Sequence, residues 1–361
     1  MTRMYGTTIA FRRPMIPTTK IIATLGPASS RTAELKKMIT AGLDVVRLNF
    51  SHGSTQDHLK AIERVRLLNK KMRRSVKILQ DLEGYRIRIG DLSVPREAKK
   101  RNVLFLVQKQ SSDDPNEIPF DYSGPLSGIP LGAHIYIDDG KILLTVVGHT
   151  RRALKVRVVV GGRISAHKGI NIIGAHLVFP SLTLKDKIDM RVALEQRLDY
   201  VAQSFVRTAG DIELLRKIIA GKNAGCQLIA KIENPAALDH LDEIIDASDG
   251  IMIARGDLGI SVPIYKVPVL QKEIIKKCRG KGKPVIVATQ MLDSMTDENY
   301  PTRAEVTDVA TAIFDGATHV MLSAETAVGK HPARVVSMMN KIVTYTEQYQ
   351  RSQAHMHGRG G

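Results

Sequence analysis

The feature that most limits the possible folds is an alternation of short apolar runs with segments of helical periodicity. In residues 228–263, apolar runs at 228–232 and 250–254 are short enough for buried parallel strands, and a helix-length segment separates them. This pattern predicts a β-α-β unit. Similar runs occur at residues 20–25, 45–49, 76–82, 200–203, 227–232, 250–254, 284–288 and 319–322. Because eight parallel strands close a barrel, the sequence predicts an α/β fold of the (β/α)8 TIM barrel type.

The alternation is interrupted after the third predicted strand. From residue 89 the sequence is rich in β-forming residues and turn signals, and helical periods resume only after residue 178. We therefore expect a small all-β domain inserted after barrel strand 3. The expected units are a basic leader at 1–17, a barrel at 18–88 and 179–350, a β-barrel-like lid at 89–178 and a tail at 351–361.

Composition excludes several classes of protein. The 361 residues contain no apolar run of about 18 residues, and the amino-terminal segment lacks the apolar core of a secretory signal, which predicts a cytoplasmic protein with no membrane contact. Cys226 and Cys278 lack metal-binding or redox spacing, so we expect reduced structural thiols. The net charge of +17 is spread over dispersed basic pairs with only 4% aromatic residues, which favours solvated faces and an anionic substrate over specific nucleic-acid binding.

Polar side chains collect where the predicted strands end. Lys231 and Glu233 are two residues apart and leave the same face of one strand, and Asp257 follows the next strand in what we expect to be a glycine-flanked turn. Two carboxylates suit a hard cation such as Mg²⁺, and the lysine could neutralise charge during phosphoryl transfer. The alternative is a surface salt bridge. Polar residues also follow other strands, namely Arg47, Asn49, Ser51, Asp81, Arg88, Thr289, Gln290, Ser323 and Glu325.

Taken alone, each of these polar residues is more often a structural residue at the barrel rim, with its hydrogen bonds made within the protein, than a catalytic group. Their coincidence at successive strand ends favours an active site, because the carboxyl ends of barrel strands carry the catalytic residues of TIM barrels.

A series of motifs resembles the pyruvate kinase family in content and order. The motifs are TKIIATLGPAS, VRLNFSHG, DLEGYRIRIG, DDGKI, HKGIN, AQSFVR, AKIEN, GIMIARGDLG, VIVATQML, PTRAEVTDVA and MLSAET, from residue 19 to about residue 343. The resemblance implies a TIM barrel with a small β domain that closes over the nucleotide. It also implies phosphoryl transfer from phosphoenolpyruvate to ADP, giving pyruvate and ATP in glycolysis.

The resemblance further implies a role for each matching residue. Glu233 and Asp257 would hold a divalent ion, Mg²⁺ or Mn²⁺, and the amides of Gly256 and Asp257 would hold the substrate carboxylate. Lys231 would stabilise the phosphoryl group in transfer, and Thr289, with Ser323, would lie where enolpyruvate is protonated. Contacts to substrate phosphates and nucleotide would come from Arg47, Asn49, His52, Arg88 and Lys168.

The chain departs from the family at a monovalent cation site. In many members the residues matching Asn49, Ser51, Asp81 and the carbonyl of Leu82 bind potassium, supported by a glutamate. This chain has Arg86 at the position of that glutamate. We expect the guanidinium to supply the positive charge, so that K⁺ is not required.

A second departure is length, since family members continue with a domain that binds sugar-phosphate effectors. The sequence here ends in a helix and a polar segment. We therefore expect no such effector site, and a homodimer through the barrel is compatible with the resemblance.

Two other functions fit part of the pattern. A lyase or aldolase of the related pyruvate-binding barrels would also use a metal held by Glu and Asp. Lys168 and the pair Arg47 and Arg88 argue against it, because an aldolase has no nucleotide phosphates to bind. A non-catalytic binding paralogue is the third interpretation, and the intact catalytic positions argue against that.

Overall fold

The computed structural model describes residues 18–175, 177–178, 180–220 and 225–357, with side chains to residue 353, so the expected leader lies outside it. The strands are β1 (Lys20–Thr24), β2 (Val45–Asn49), β3 (Lys77–Asp81), β4 (Arg96–Ala98), β5 (Val103–Val107), β6 (Glu117–Pro119), β7 (His134–Ile137), β8 (Ile142–His149), β9 (Ala153–Val160), β10 (Gly162–Ile164), β11 (Ile170–Ile173), β12 (Tyr200–Gln203), β13 (Gln227–Ile232), β14 (Gly250–Ala254), β15 (Val285–Ala288) and β16 (His319–Leu322). The helices are α1 (Thr32–Ala41), α2 (Thr55–Met72), α3 (Leu184–Glu195), α4 (Ala209–Ile219), α5 (Pro235–Asp239), α6 (Leu241–Ala247), α7 (Arg255–Ser261), α8 (Val267–Gly280), α9 (Arg303–Asp315), α10 (Ala324–Ala327) and α11 (Pro332–His357).

Eight strands close into a parallel barrel in the order β1-β16-β15-β14-β13-β12-β3-β2. The strands are buried on both faces, as in β14, where every residue is buried. This double burial is why the strands appear in the sequence as continuous apolar runs. The predicted TIM barrel is confirmed, and each predicted strand end lies within one residue of the observed one.

Local sequence signals set the ends of several barrel helices. Ser54 and Asp57 form a reciprocal capping box at the start of α2, and Thr183 and Asp186 form another at the start of α3. Gly42 ends α1 with a φ of 114°, a left-handed conformation that glycine adopts without steric cost. These caps satisfy backbone groups that would otherwise lack partners, and so they fix where each helix meets its strand.

The interior of the barrel is filled by side chains from all eight strands. These residues form a cluster of their own, separate from the larger core between the barrel and its outer helices, and comprise Ile22, Val45, Leu79, Ala202, Ile229, Met252, Ile286, Ala288 and Met321. The barrel is therefore a packed core, and open space for a ligand lies at its rim.

The inserted segment between β3 and α3 has its own β structure and its own core. Its main sheet has the order β11-β7-β8-β9-β5-β6, and β10 pairs with β4 in a second sheet. Buried residues such as Phe120 and Tyr122 belong to a hydrophobic cluster distinct from those of the barrel. An inserted β domain after barrel strand 3 is thus present, and its β11 contacts α7 of the barrel. The numerical domain boundaries stay predictions.

Two further expectations concern the termini and the cysteines. The expected tail is helical in part, because α11 continues to His357. Cys226 and Cys278 are both free and buried, and burial raises the pKa of each thiol to about 12. In the part of the chain that the structure describes, no helix is both long and apolar enough to cross a bilayer.

Candidate active site

A buried network of charged side chains lies at the carboxyl ends of β2, β3 and β13. Arg47 Nε donates to Asp81 Oδ2 at 2.7 Å, and Lys231 Nζ lies 3.1 Å from Asp81 Oδ1 and 3.0 Å from Glu233 Oε1. The Glu233 carboxylate also accepts a hydrogen bond of 2.6 Å from the amide of Phe205. The structure thus brings together four residues that the sequence placed at three different strand ends.

The pKa shifts in this network follow from burial opposed by pairing. Burial alone would raise the pKa of Asp81, but Lys231 and Arg47 hold it below its usual range. Burial would lower the pKa of Lys231, but Asp81 and Glu233 raise it, so the ammonium stays charged at neutral pH. Burial raises the pKa of Glu233, and the nearby charge of Asp257 adds to this effect.

Asp257 lies beside this network but not in the turn that the sequence predicted. The prediction of a glycine-flanked turn is wrong, because α7 begins at Arg255, directly after β14, and Asp257 lies in its first turn. The low helix propensity of Gly256 and Gly259 did not prevent the helix, because tertiary packing overrides weak local preferences. Asp257 Oδ1 is 3.5 Å from a guanidinium nitrogen of Arg86.

The residues present fit a divalent ion of the hard, oxygen-binding type. Glu233 and Asp257 are close enough for the charge of one to raise the pKa of the other, and such a pair of carboxylates lowers its repulsion by sharing a cation. Within the described residues there is no group of three or more His, Cys, Asp or Glu side chains that could hold a metal. A two-carboxylate set leaves coordination positions for oxygen atoms of a substrate.

Thr289 and Ser323 lie at the ends of the neighbouring strands β15 and β16. Thr289 has a φ of 72°, and its Oγ1 accepts a hydrogen bond of 2.8 Å from the amide of Gly256. Ser323 Oγ is buried and has no hydrogen-bond partner among the described residues. An unpartnered buried hydroxyl is costly unless a ligand or water satisfies it, so it marks a functional position.

An open cleft of about 820 Å³ separates the inserted domain from α7. Arg86, Tyr136 and Asp139 line one side, and Gly256 and Asp257 line the other. The cleft is large enough for a nucleotide-sized ligand, and Asp257 of the carboxylate pair described above lies in its lining.

Comparison with known proteins agrees with this geometry. The family model described as "Pyruvate kinase, barrel domain" matches residues 16–336. The chain belongs to the pyruvate kinase family. It is 45% identical to a pyruvate kinase of Thermococcus litoralis over 92% of the chain and 70% of that protein. Identity to a pyruvate kinase of Agrobacterium vitis is 45% over 91% and 69% of the two chains, and to that of Geobacillus stearothermophilus 42% over 91% and 57%.

The predicted membership of the pyruvate kinase family is therefore confirmed, as is a phosphotransferase type of enzyme. Sequence reasoning from strand ends and the motif series led to the same family as the comparisons.

The residues that the pyruvate kinase resemblance assigns to the nucleotide are not joined to the buried network. Arg88 pairs with Glu83 at 2.7 Å and also donates to the carbonyl of His167 at 3.2 Å. Lys168 pairs with Asp138 of the inserted domain at 2.8 Å. These cations face the boundary between barrel and insert, where each has an acidic partner.

A further nucleotide candidate, His52, is exposed in the loop between β2 and α2. Its carbonyl oxygen lies 2.9 Å from Nε2 of His58, whose ring stacks on Phe50. This packing fixes the backbone of the loop and leaves the imidazole of His52 facing solvent.

The residues that match the pyruvate kinase potassium site have protein partners here. Asn49 Oδ1 accepts from the amide of Ser51 at 3.2 Å, and the carbonyl of Leu82 accepts from Ser204 Oγ at 2.6 Å. Both oxygens of Asp81 face cations, Arg47 on one side and Lys231 on the other.

Sequence reasoning missed two residues that hold this network in place. Ser204 Oγ accepts a hydrogen bond of 2.6 Å from Lys231, and Thr24 Oγ1 accepts one of 2.9 Å from Arg47. Thr24 ends β1 and Ser204 directly follows β12. The other site residues were selected because they are polar and lie at the carboxyl ends of predicted strands. This strand-end rule would therefore have selected Thr24 and Ser204 as well.

Proposed function

We propose that this chain transfers the phosphoryl group of phosphoenolpyruvate to ADP, giving pyruvate and ATP. The observation that carries the proposal is the buried Arg47-Asp81-Lys231-Glu233 network at the carboxyl rim, with Asp257 and the inserted domain beside it. A salt bridge on the surface would not be buried on all sides, whereas Asp81 and Glu233 are each 1% exposed.

Lys231 and Arg47 supply fixed positive charge to the reacting groups. Because Asp81 and Glu233 raise its pKa, Lys231 remains an ammonium ion and can stabilise negative charge on a transferring phosphoryl group without releasing a proton. Arg47 is held by Asp81 and Thr24, so its guanidinium is oriented before the substrate binds.

Glu233 and Asp257 would hold Mg²⁺ or Mn²⁺, which when bound supplies charge neutralisation for the carboxylate and phosphate oxygens of the substrate. Thr289 and Ser323 lie on adjacent strand ends, and we assign to their hydroxyls the relay of a proton from bound water to carbon 3 of enolpyruvate, so that water supplies the proton and each hydroxyl regains its own. The unpartnered Oγ of Ser323 supports this assignment, because it leaves a hydroxyl that can bind water at the rim.

The proposal includes independence from K⁺. The Arg86 guanidinium lies 3.5 Å from Asp257. Burial would lower the pKa of Arg86, but the charges of Asp257 and Asp139 raise it, so the side chain remains a fixed cation. Asp81, which would be a potassium ligand, is already paired with two cations. Both features reduce the need for a monovalent ion.

The first test is pyruvate formation from phosphoenolpyruvate and ADP with Mg²⁺, measured with K⁺ and with Na⁺ or tetramethylammonium in its place. We expect activity that is indifferent to K⁺, and a loss of about 100-fold or more in kcat for Lys231→Met, since a buried charge that stabilises the transition state is removed. Arg86→Glu should make activity K⁺-dependent. Strong K⁺ activation of the unchanged protein would refute the role of Arg86.

If the protein is folded and binds phosphoenolpyruvate but shows no activity in this assay, the lyase or the non-catalytic interpretation would be favoured over phosphoryl transfer. A homodimer through the barrel and a cytoplasmic location stay predictions. Sedimentation and cell fractionation, respectively, test them.

A further inference from the structure

The turn that follows β15 is strained at two consecutive residues. Thr289 has a φ of 72° and Gln290 a φ of 52°, both in the left-handed region. A β-branched residue such as threonine rarely adopts this conformation, which is strained and persists only where surrounding contacts maintain it. The turn nevertheless presents Thr289 Oγ1 to the amide of Gly256 at 2.8 Å.

The side chain of Arg255, the first residue of α7, makes most of the contacts that maintain this turn. Its Nη2 donates to the carbonyl of Thr289 at 2.7 Å and lies 3.4 Å from the carbonyl of Gln290, and its Nε lies 3.4 Å from that of Ala288. One guanidinium therefore spans three consecutive carbonyl groups. This planar donor set cannot be reproduced by a lysine ammonium.

The other side of the guanidinium is held by side chains of α8 and α9. Arg255 Nη1 lies 2.7 Å from Asp308 Oδ1 and 3.3 Å from Gln271 Oε1. The side chain of Arg255 is 12% exposed and that of Asp308 34% exposed, so the pair is largely shielded from solvent. Asp308 thus holds the guanidinium against the turn.

We propose that Arg255, oriented by Asp308, is a positioning residue that holds Thr289 in its strained conformation and at a fixed distance from Gly256 and Asp257. This proposal rests on the proposed function, because the position of Thr289 affects the reaction only if Thr289 contacts the reacting substrate. Arg255 joins the first turn of α7, which carries Asp257, to the end of β15, which carries Thr289. The proton-delivering hydroxyl and the carboxylate of the metal pair are thereby fixed relative to each other.

A purely structural ion pair would predict a different outcome from a positioning pair. A structural pair affects stability and leaves kcat unchanged in the folded enzyme. A positioning residue changes kcat, because displacement of a reacting group by about 1 Å costs on the order of 100-fold in rate.

The first experiment compares kcat and the KM for phosphoenolpyruvate in Arg255→Gln, Arg255→Lys and Asp308→Asn. We expect kcat to fall about 100-fold in Arg255→Gln and less in the other two variants, with a smaller change in KM. The matched control is Arg216→Gln, because Arg216 also pairs with an aspartate, Asp249 at 3.0 Å, and donates to the carbonyl of Ala247 at 2.8 Å. Its kcat should equal that of the unchanged protein.

The second experiment uses Gln290→Gly, which lets the turn adopt a positive φ without steric cost. In this background Arg255→Gln should lower the denaturant midpoint and kcat by less than it does in the original chain. Effects of glycine on the unfolded chain cancel in this double-mutant comparison. Equal losses in both backgrounds, or an unchanged kcat in Arg255→Gln, would overturn the proposal.

The two experiments separate this inference from the proposed function. An inactive but folded unchanged protein would contradict phosphoryl transfer, while the unfolding comparison would still show whether Arg255 supports the strained turn. An active enzyme whose Arg255 variants keep full kcat would contradict the positioning role alone.

Discussion

Ionisable residues at the two ends of the barrel are in opposite electrostatic situations. At the carboxyl end, Lys231 is buried between two carboxylates, which raise its pKa and keep it charged. At the amino end, His319 begins β16 and lies close to Lys20, a cation. Burial and the charge of Lys20 lower the pKa of His319 to about 4. The protein thus stabilises the positive charge of Lys231 at the end of the barrel where catalysis is proposed, and it disfavours a positive charge on His319 at the opposite end.

The lowered pKa of His319 predicts a loss of stability in mild acid. The unfolded chain binds a proton at this position near pH 6.5, whereas the folded chain resists it until about pH 4. The free energy of unfolding should therefore decrease as the pH falls through this window, by up to about 3 kcal/mol from this residue. Urea unfolding measured at pH 7, 5.5 and 4.5 gives the slope.

The same measurement on His319→Asn should show a smaller dependence on pH in that window. His331→Asn is the matched control, because it makes the same substitution at an exposed histidine. An identical slope for His319→Asn and the unchanged chain would contradict the assignment.

At the scale of elements, the strands and their order could be predicted from the sequence because double burial makes each of them an apolar run. The number and bounds of the helices were harder to predict, because local capping and turn residues compete with tertiary packing. The segment between β13 and β14 has helical periodicity but forms two helices, since α5 ends at Asp239 and α6 begins at Leu241.

The partners of site residues could be predicted only in part. The strand-end rule found Lys231 and Glu233, because a spacing of two on one strand fixes a common face. It could not find the contacts of Arg255 with Thr289 and Asp308, since these depend on how α7, α9 and the turn after β15 pack together. Such contacts join elements far apart in the chain and leave no periodic signal.

The last helix is joined by one carboxylate to the two residues that precede the first strand, which gives a second prediction on stability. Glu347 of α11 accepts hydrogen bonds from the amides of Thr18 and Thr19, at 2.9 and 2.6 Å, and from Thr18 Oγ1 at 2.9 Å. We expect Glu347→Ala to lower the free energy of unfolding by about 2–3 kcal/mol, because the buried amide of Thr19 and the partly buried donors of Thr18 lose a charged acceptor.

The pH dependence of this contact has a defined sign. Burial alone would raise the pKa of Glu347, but the hydrogen bonds lower it below its usual range. Its contribution to stability is therefore complete at neutral pH and is lost as the pH falls through the lowered pKa. Glu213→Ala, at an exposed position of α4, is the control and should change stability by less than about 0.5 kcal/mol. A similar loss in both variants would contradict the assignment.

At the scale of the whole molecule, the inserted domain has a core of its own and meets the barrel through polar contacts as well as through β11 and α7. Arg86 bridges the two units, since its Nη2 lies 2.8 Å from Asp139 of the insert and 3.5 Å from Asp257 of the barrel. A domain with a separate core can move as a body over the cleft, and such motion is restrained by a few contacts of this kind.

Asp139→Asn should therefore weaken nucleotide capture without unfolding either unit. Asp139 has a side chain that is 67% exposed, so its pair with Arg86 adds at most about 1 kcal/mol. We expect the KM for ADP to rise about two- to fivefold, with kcat within about twofold of the original value and the unfolding midpoint unchanged. Asp113→Asn, an exposed change in the same domain, is the control. If KM for ADP stays constant while the midpoint falls, the Arg86 bridge supports the fold of the insert and does not restrain its position over the cleft.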